Sequence, residues 1–584
     1  MMRAEHPKPQ FYRGSWQSLN GEWQFEIDFG GSNPGDYQKP GVSLNKRIQV
    51  PFCPESGLSG IGYKDFMPTV WYKRVTTVTK EQLAGRVLLH FGAVDYATTV
   101  YIGGVEIGRH KGGYSSFVFD VTSCLKEGEN ELTVRADDDL RSGKQPRGKQ
   151  CPTYHSAGCD YTRTTGIWQT VWLEYVPKIY ISRVKIDTDY TGGHVSFASE
   201  IKGGDPAGLL FRAKISFKGK PIEEITVPAS MTNTFGVTIG NAKLWDVGDP
   251  NLYDVVFELI KPDGGVADGV NSYFGIRGVE MKNNKMYING RPVFQRLVLD
   301  QGFYPDGIYT APNDAALIKD IELSMALGFN GARLHQKIFE ERFLYHADRM
   351  GYIVWSEQGN WGMDYNDSKA IYSFLPEWLE AVERDYNHPS IVCWCPFNEV
   401  ADYDPATGRI TRLKDPDLLR TVYYVTKALD KQRPVIDVSG FFHVGNTDIF
   451  DTHDYEQNVE KFRENYKSIK AGESIFDPQS YAEPYDGKPF LVSEYGGAKW
   501  SGEADNNWGY GEAPCDMKEF LDRYTGLTET LIKNKNICGF CYTQLYDVEQ
   551  EQNGLYTYAR EPKFPMEMYE AIRAVNAQKA GCEE

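Results

Sequence analysis

Hydrophobic and polar positions along this chain follow two rhythms, and the change falls near Phe274-Gly275. Before it, short runs such as VLLHFGAVDYATTVYIGG, YSSFVFDVTSCL and NELTVRAD alternate apolar and polar residues, with Gly, Asn and Asp between them. A period of two puts one face of each run on a core and the other in water, so these runs predict strands joined by turns. Residues 1–178, closed by the β-prone run TGIWQTVWLEYV, therefore predict a β jelly roll or sandwich. Residues 179–278 repeat the texture on a smaller scale. ISRVKIDTDY, HVSFASEI, GLLFRAKISF, TNTFGVTI and LYDVVFELI fit an immunoglobulin-like sandwich.

From residue 279 to 584 the pattern becomes amphipathic helix followed by a short apolar strand. DAALIKDIELSMALG precedes FNGARL, ERFLYHADRMG precedes YIVWSE, LPEWLEAVERDYNH precedes SIVCWCPFNE, and LLRTVYYVTKALDK precedes PVIDVSG. KPFLVSEYGG and NICGFCYTQLYD follow later. Helix then buried strand, repeated, is the pattern of a (β/α)8 TIM barrel, whose chemistry sits where the strands end.

Composition narrows the function. A net charge of −17 disfavours a nucleic-acid partner, which needs a concentrated basic surface. No run approaches the roughly 18 apolar residues of a membrane span, and the N-terminus lacks the apolar core of a signal peptide, so a cytoplasmic protein is expected. Ten cysteines are sparse in 584 residues. Cys538 and Cys541 have CxxC spacing inside an apolar run with no nearby His, which predicts reduced, buried thiols rather than a metal or redox site.

Two strand ends carry a glutamate after an apolar run: Glu399 in SIVCWCPFNEV and Glu494 in KPFLVSEYGG. An ionised carboxylate beside buried apolar residues is costly, so a pair at barrel strand ends predicts chemistry rather than packing. Paired carboxylates suit glycoside hydrolysis, where one gives a proton to the leaving oxygen and the other attacks the anomeric carbon or activates water.

At these residues the chain resembles glycoside hydrolase family 2, the β-galactosidase, β-glucuronidase and β-mannosidase group, over nearly its whole length. RDYNHPSIVCWCPFNE is similar to the family's acid/base segment and LVSEYGG to its nucleophile segment. The resemblance implies a retaining exo-β-glycosidase in which Glu494 attacks, Glu399 is the acid/base, and Asn398 bonds the sugar 2-hydroxyl. It further implies Arg333 (NGARLHQ) beside the nucleophile, Tyr455 (THDY) donating to it, and Glu357 (VWSEQGN) offering a carboxylate. Asp160 (GCDYTRTTGIWQ) becomes a glycone ligand, His335 a sugar ligand, and Tyr542 (FCYTQ) a platform under the sugar; Trp500 is a second stacking candidate. The mechanism requires no metal or organic cofactor. The expected partner is a small carbohydrate or glycoside, and the β modules offer surfaces for a homo-oligomer.

The sugar is less defined. The Asn-x-Lys triplet by which the family's β-glucuronidases read the sugar carboxylate is missing from EQEQNGLYTYAREPK, where Asn553-Gly554-Leu555 lacks the cation. LVLDQGFYPDG departs from the element of typical β-galactosidases, leaving Asp300, Gln301 and Asp306 as hydroxyl readers. A β-galactosidase is the first expectation, with a β-uronidase or furanosidase of the same family as the alternative. A non-catalytic carbohydrate-binding protein on the same scaffold is the reading from another class, and retention of both glutamates argues against it. The loop RSGKQPRGKQCP, residues 141–152, carries Arg141, Lys144, Arg147 and Lys149. Such runs usually sit in water, but at the barrel mouth this one would supply a cationic patch for an anionic sugar.

Overall fold

The computed structural model describes residues 3–403, 410–470, 485–500 and 507–583. The first β region folds as two sheets. A six-stranded sheet runs in the order Lys46–Val50, Gly21–Ile27, Thr69–Val78, Gly128–Asp137, Ala97–Ile102, Val105–Lys111. It faces a four-stranded sheet of Trp16–Ser18, Val171–Val176, Arg86–Phe91 and Phe117–Asp120. Alternate residues such as Trp23, Phe25, Val70, Tyr72, Leu89 and Phe91 meet in one core between them. The second β region is a smaller sandwich of three and four strands around Phe197, Phe211, Phe257 and Phe274.

The C-terminal region is a curled parallel sheet of seven strands. Gln295–Asp300, Gly331–Leu334, Ile353–Glu357 and Ile391–Cys395 pair in succession on one side, and Ile537–Thr543, Phe490–Gly496 and Phe450–Asp454 continue the sheet on the other. The eighth position is taken by residues 434–440. They lie parallel to the Ile391–Cys395 strand through Trp394–Val435 and Asn398–Ser439 bridges without forming a regular ladder. Within this segment the Asp437 carboxylate takes the N–H of Val438, and it also accepts from Val444 N–H in the turn that follows. Several helices begin on side-chain caps, Asn313, Asp415 and Asp516 each accepting a backbone N–H of the first turn.

A hairpin, Val279–Lys282 with Lys285–Ile288, precedes the first barrel strand and joins Leu297, Trp355, Cys393, Leu491 and Cys541 in one core. This apolar floor leaves the polar side chains at the opposite, C-terminal ends of the strands. All ten cysteines are free, and Cys538 and Cys541 are buried. Among the described residues no helix is long and apolar enough to cross a membrane.

Candidate active site

Each strand of the barrel alternates between lumen and helix layer, and the residues at its end aim into the mouth. Glu399 follows the Ile391–Cys395 strand, and its φ of +49° puts a non-glycine residue in the left-handed region. Such a conformation costs about 1–3 kcal/mol and persists where surrounding structure holds it. Here Glu399 N–H donates to Ser439 O at 2.9 Å, tying the turn to the neighbouring chain.

Glu494 and Glu399 come together around His453. The His453 Nδ1 lies 2.6 Å from Glu399 Oε1 and 3.5 Å from Glu494 Oε2. One donor atom from each of the three residues falls within 4.8 Å of the other two. Such a set could hold a divalent cation, although Arg333 already neutralises Glu494. Two carboxylates this close match the spacing of about 5–5.5 Å for direct attack, not the roughly 6.5–9.5 Å that leaves room for water.

Arg333 is fully buried and organises the floor of the site. Its guanidinium reaches Glu494 Oε1 at 2.9 Å, Glu357 Oε2 at 2.5 Å and Asn398 Oδ1. Tyr455 donates its O–H to Glu494 Oε2 at 2.5 Å, and its ring stacks on Tyr510. Burial alone would push the Glu494 carboxyl up, but His453 and Arg333, followed by His335 and Tyr455, outweigh it and hold it down to about 2. Burial alone would lower His453, while Glu494 and then Glu399 raise it. Asn398 accepts from Arg333 through Oδ1, and its buried Nδ2 has no partner, leaving a donor free for a ligand. Glu357 is tied to Arg333, to Gln336 N–H at 3.0 Å and to His335 Nδ1 at 2.9 Å. His335 is thus paired with Glu357, within electrostatic reach of Glu494.

The jelly-roll loop does reach the barrel. Tyr161 O–H donates to Glu551 at 2.6 Å, and Gln550 Nε2 donates to Asp160 O at 2.9 Å. The Asp160 carboxylate is paired with Arg147 at 2.8 Å.

Three expectations need correction. Tyr542 does not face the mouth: Cys541 joins the apolar floor, so the strand's alternation sends Tyr542 outward, against Tyr495 and Tyr524. Trp500 packs against Phe520 and Phe564 in the helix layer. Asp306 is exposed, away from the buried floor of the site, whereas Asp300 is buried and accepts from Gly302 N–H at 2.9 Å and from the Tyr546 O–H through one oxygen, Oδ1. Gln301 is buried, and its Oε1 has no partner.

Sequence reasoning missed His453, Trp361 and Glu551. His453 stands in the same THDY segment as Tyr455, so a His two residues before that Tyr was the available signal. Trp361 donates Nε1–H to Asn398 O at 3.1 Å, and nothing in its local sequence marks it.

The chain is similar to known proteins over most of its length. Three family models match in order: "Glycosyl hydrolase 2 galactose-binding domain-like" at residues 54–169, "Glycosyl hydrolases family 2" at 179–277, and "Glycosyl hydrolases family 2, TIM barrel domain" at 279–572. A putative beta-glucuronidase of Formosa agariphila is 27% identical over 59% of this chain, which spans 42% of that protein. A beta-glucuronidase of Paenibacillus borealis is 24% identical over 94% of this chain and 95% of its own length. In structure, a Ruminococcus gnavus b-glucuronidase in complex with D-glucuronic acid superposes with a TM-score of 0.78 at 19% identity, covering 98% of this chain and 99% of that one.

Proposed function

The chain belongs to glycoside hydrolase family 2, and from that premise we propose that it is a retaining exo-β-glycosidase that releases a terminal β-linked uronic acid. The observation that carries the mechanism is the closeness of Glu399 and Glu494 around His453. Glu494, ionised against Arg333 and Tyr455, attacks the anomeric carbon while Glu399 gives its proton to the departing oxygen. A covalent glycosyl-enzyme forms and the aglycone leaves. Glu399 then takes a proton from water, water adds to the anomeric carbon, and Glu494 is released. The unpartnered Asn398 Nδ2 is placed to bond a glycone hydroxyl during these steps.

What supports a uronide over the galactoside first expected is the naming of the relatives together with a cation from the first domain at the mouth. The absent Asn-x-Lys triplet favours galactoside as the second reading. A panel of 4-nitrophenyl β-glycosides tests both. Turnover of the glucuronide or galacturonide above the galactoside is expected, with the β-anomer as first product by NMR. Faster turnover of the neutral galactoside would overturn the uronide reading, and a first-formed α-anomer would overturn retention.

A further inference from the structure

The basic run at 141–152 divides on folding. Arg141 and Lys144 stay exposed. From Arg147 onward the loop lies on the barrel, with Arg147 N–H donating to Trp361 O at 2.7 Å and Gly148 N–H to Gly359 O at 3.2 Å. Gly148 has φ +55°, and a Cβ there would stand 2.4 Å from the Gln336 carbonyl oxygen. Glycine is what permits the approach, and the approach delivers Lys149.

Lys149 is 5% exposed, and its ammonium rests 3.9 Å from the centroid of the Trp361 ring. The Lys149 carbonyl accepts from Tyr161 N–H at 2.7 Å, but among the described residues its ammonium has no hydrogen bond and no ion pair, although Cys159, Glu551, Glu494 and Glu399 all lie within its electrostatic reach. The cations around it are committed: Arg333 to Glu357 and Glu494, Arg147 to Asp160. With its stem buried and no protein acceptor at its tip, the ammonium is left to water or to a bound anion. Trp361, under the ammonium, bonds the backbone of Asn398, so this free donor stands one ring away from the residue preceding Glu399.

We propose that Lys149 is the specificity residue that binds the carboxylate of a uronic acid glycone, replacing a barrel-loop lysine with one from the jelly-roll domain. The assignment rests on the uronide reading above. The barrel loop has no cation at Asn553-Gly554-Leu555. Its Glu551 carboxylate is engaged by Tyr161 O–H and by Asn553 Nδ2 at 3.0 Å, and burial pushes its pKa up, which limits its competition for the ammonium.

The test uses the full chain with 4-nitrophenyl β-D-glucuronide, β-D-galacturonide and β-D-galactoside, the galactoside serving as substrate or as competitive ligand. Lys149→Met keeps the stem and removes the charge, Lys149→Arg keeps a charge, and Lys149→Gln serves if the Met variant does not fold. For the uronide that the unmutated chain hydrolyses, KM should rise about 10- to 100-fold in Lys149→Met, the value of a charge-assisted hydrogen bond. Lys149→Arg should recover most of the loss, and the galactoside should be affected at least tenfold less than the uronide. Equal losses for acidic and neutral ligands, or an unchanged uronide KM, would overturn the assignment while leaving the proposed function standing. Absence of uronide turnover in the unmutated chain would instead remove the proposed function, and this inference with it.

Discussion

Two groups of buried carboxyls in this protein meet opposite electrostatic fates. At the barrel mouth, Glu357 and Glu494 flank the Arg333 guanidinium, and Glu494 also faces His453, so both carboxyls are held below their ordinary range. Beneath the jelly-roll loop, Asp95 lies within reach of Glu55, Asp138 and Glu377, with amides and hydroxyls as the main partners. Gln150 Nε2 donates to Asp95, Gln145 Nε2 to Asp138, and Tyr114 N–H to Glu377. Burial dominates there, raising Glu55 and Glu377 to about 8 and Asp138 to about 6. The difference teaches that burial does not set protonation alone. Close cationic partners, His453 and Arg333 for Glu494 and Arg333 for Glu357, reverse what desolvation would do, and only the first group is thereby kept ionised.

The largest effect should come from Glu494→Gln, which removes the attacking charge and keeps the shape. The kcat is expected to fall by about 10⁴-fold or more with the thermal transition retained, as steady-state kinetics and calorimetry would show. Next, Arg333→Met turns the first group into something like the second by leaving Glu357 and Glu494 buried without their cation. A loss of about 3–5 kcal/mol in denaturant unfolding is expected, together with loss of activity.

A smaller effect should follow His453→Asn. This removes the largest favourable charge acting on Glu494, so the nucleophile's pKa rises and the acidic limb of the kcat/KM–pH profile moves to higher pH. The kcat should fall roughly ten- to a hundredfold; an unmoved limb would mean that His453 only fills space.

The smallest effect concerns the second group. A carboxyl whose folded pKa lies above its unfolded value stabilises the fold below the unfolded pKa, and that stability is lost as pH rises through the folded value. The window for Glu377 runs from the ordinary carboxyl range up to about 8. Stability should therefore fall between pH 5 and 8, and Glu377→Gln should reduce that fall, measured by denaturant unfolding at the two pH values. Glu494 has the opposite sign: its contribution persists above the ordinary carboxyl range and is lost as pH falls through about 2.

Local pattern was enough for the layered fold, because a period of two and a period of 3.6 each commit a segment to one face of a core. Pattern also singled out Glu399 and Glu494 at strand ends, and the family resemblance pointed to Asn398, Arg333 and Tyr455, which the structure gathers around the same mouth. Strand phase was harder. Tyr542 was read one position away from the lumen-facing Cys541, and a single-residue error exchanges lumen for helix layer.

Segments far apart in the chain decided the rest. Lys149 and Trp361 are separated by more than two hundred residues, and only docking of the jelly-roll loop on the barrel stacks one on the other. The same holds for Tyr161 with Glu551, and for His453 between Glu399 and Glu494. Charge and side-chain type are properties of the sequence. Whether a charge finds a partner, and so whether it is neutralised, ionised or left waiting for a ligand, depends on distances of a few ångströms that only the packed structure creates.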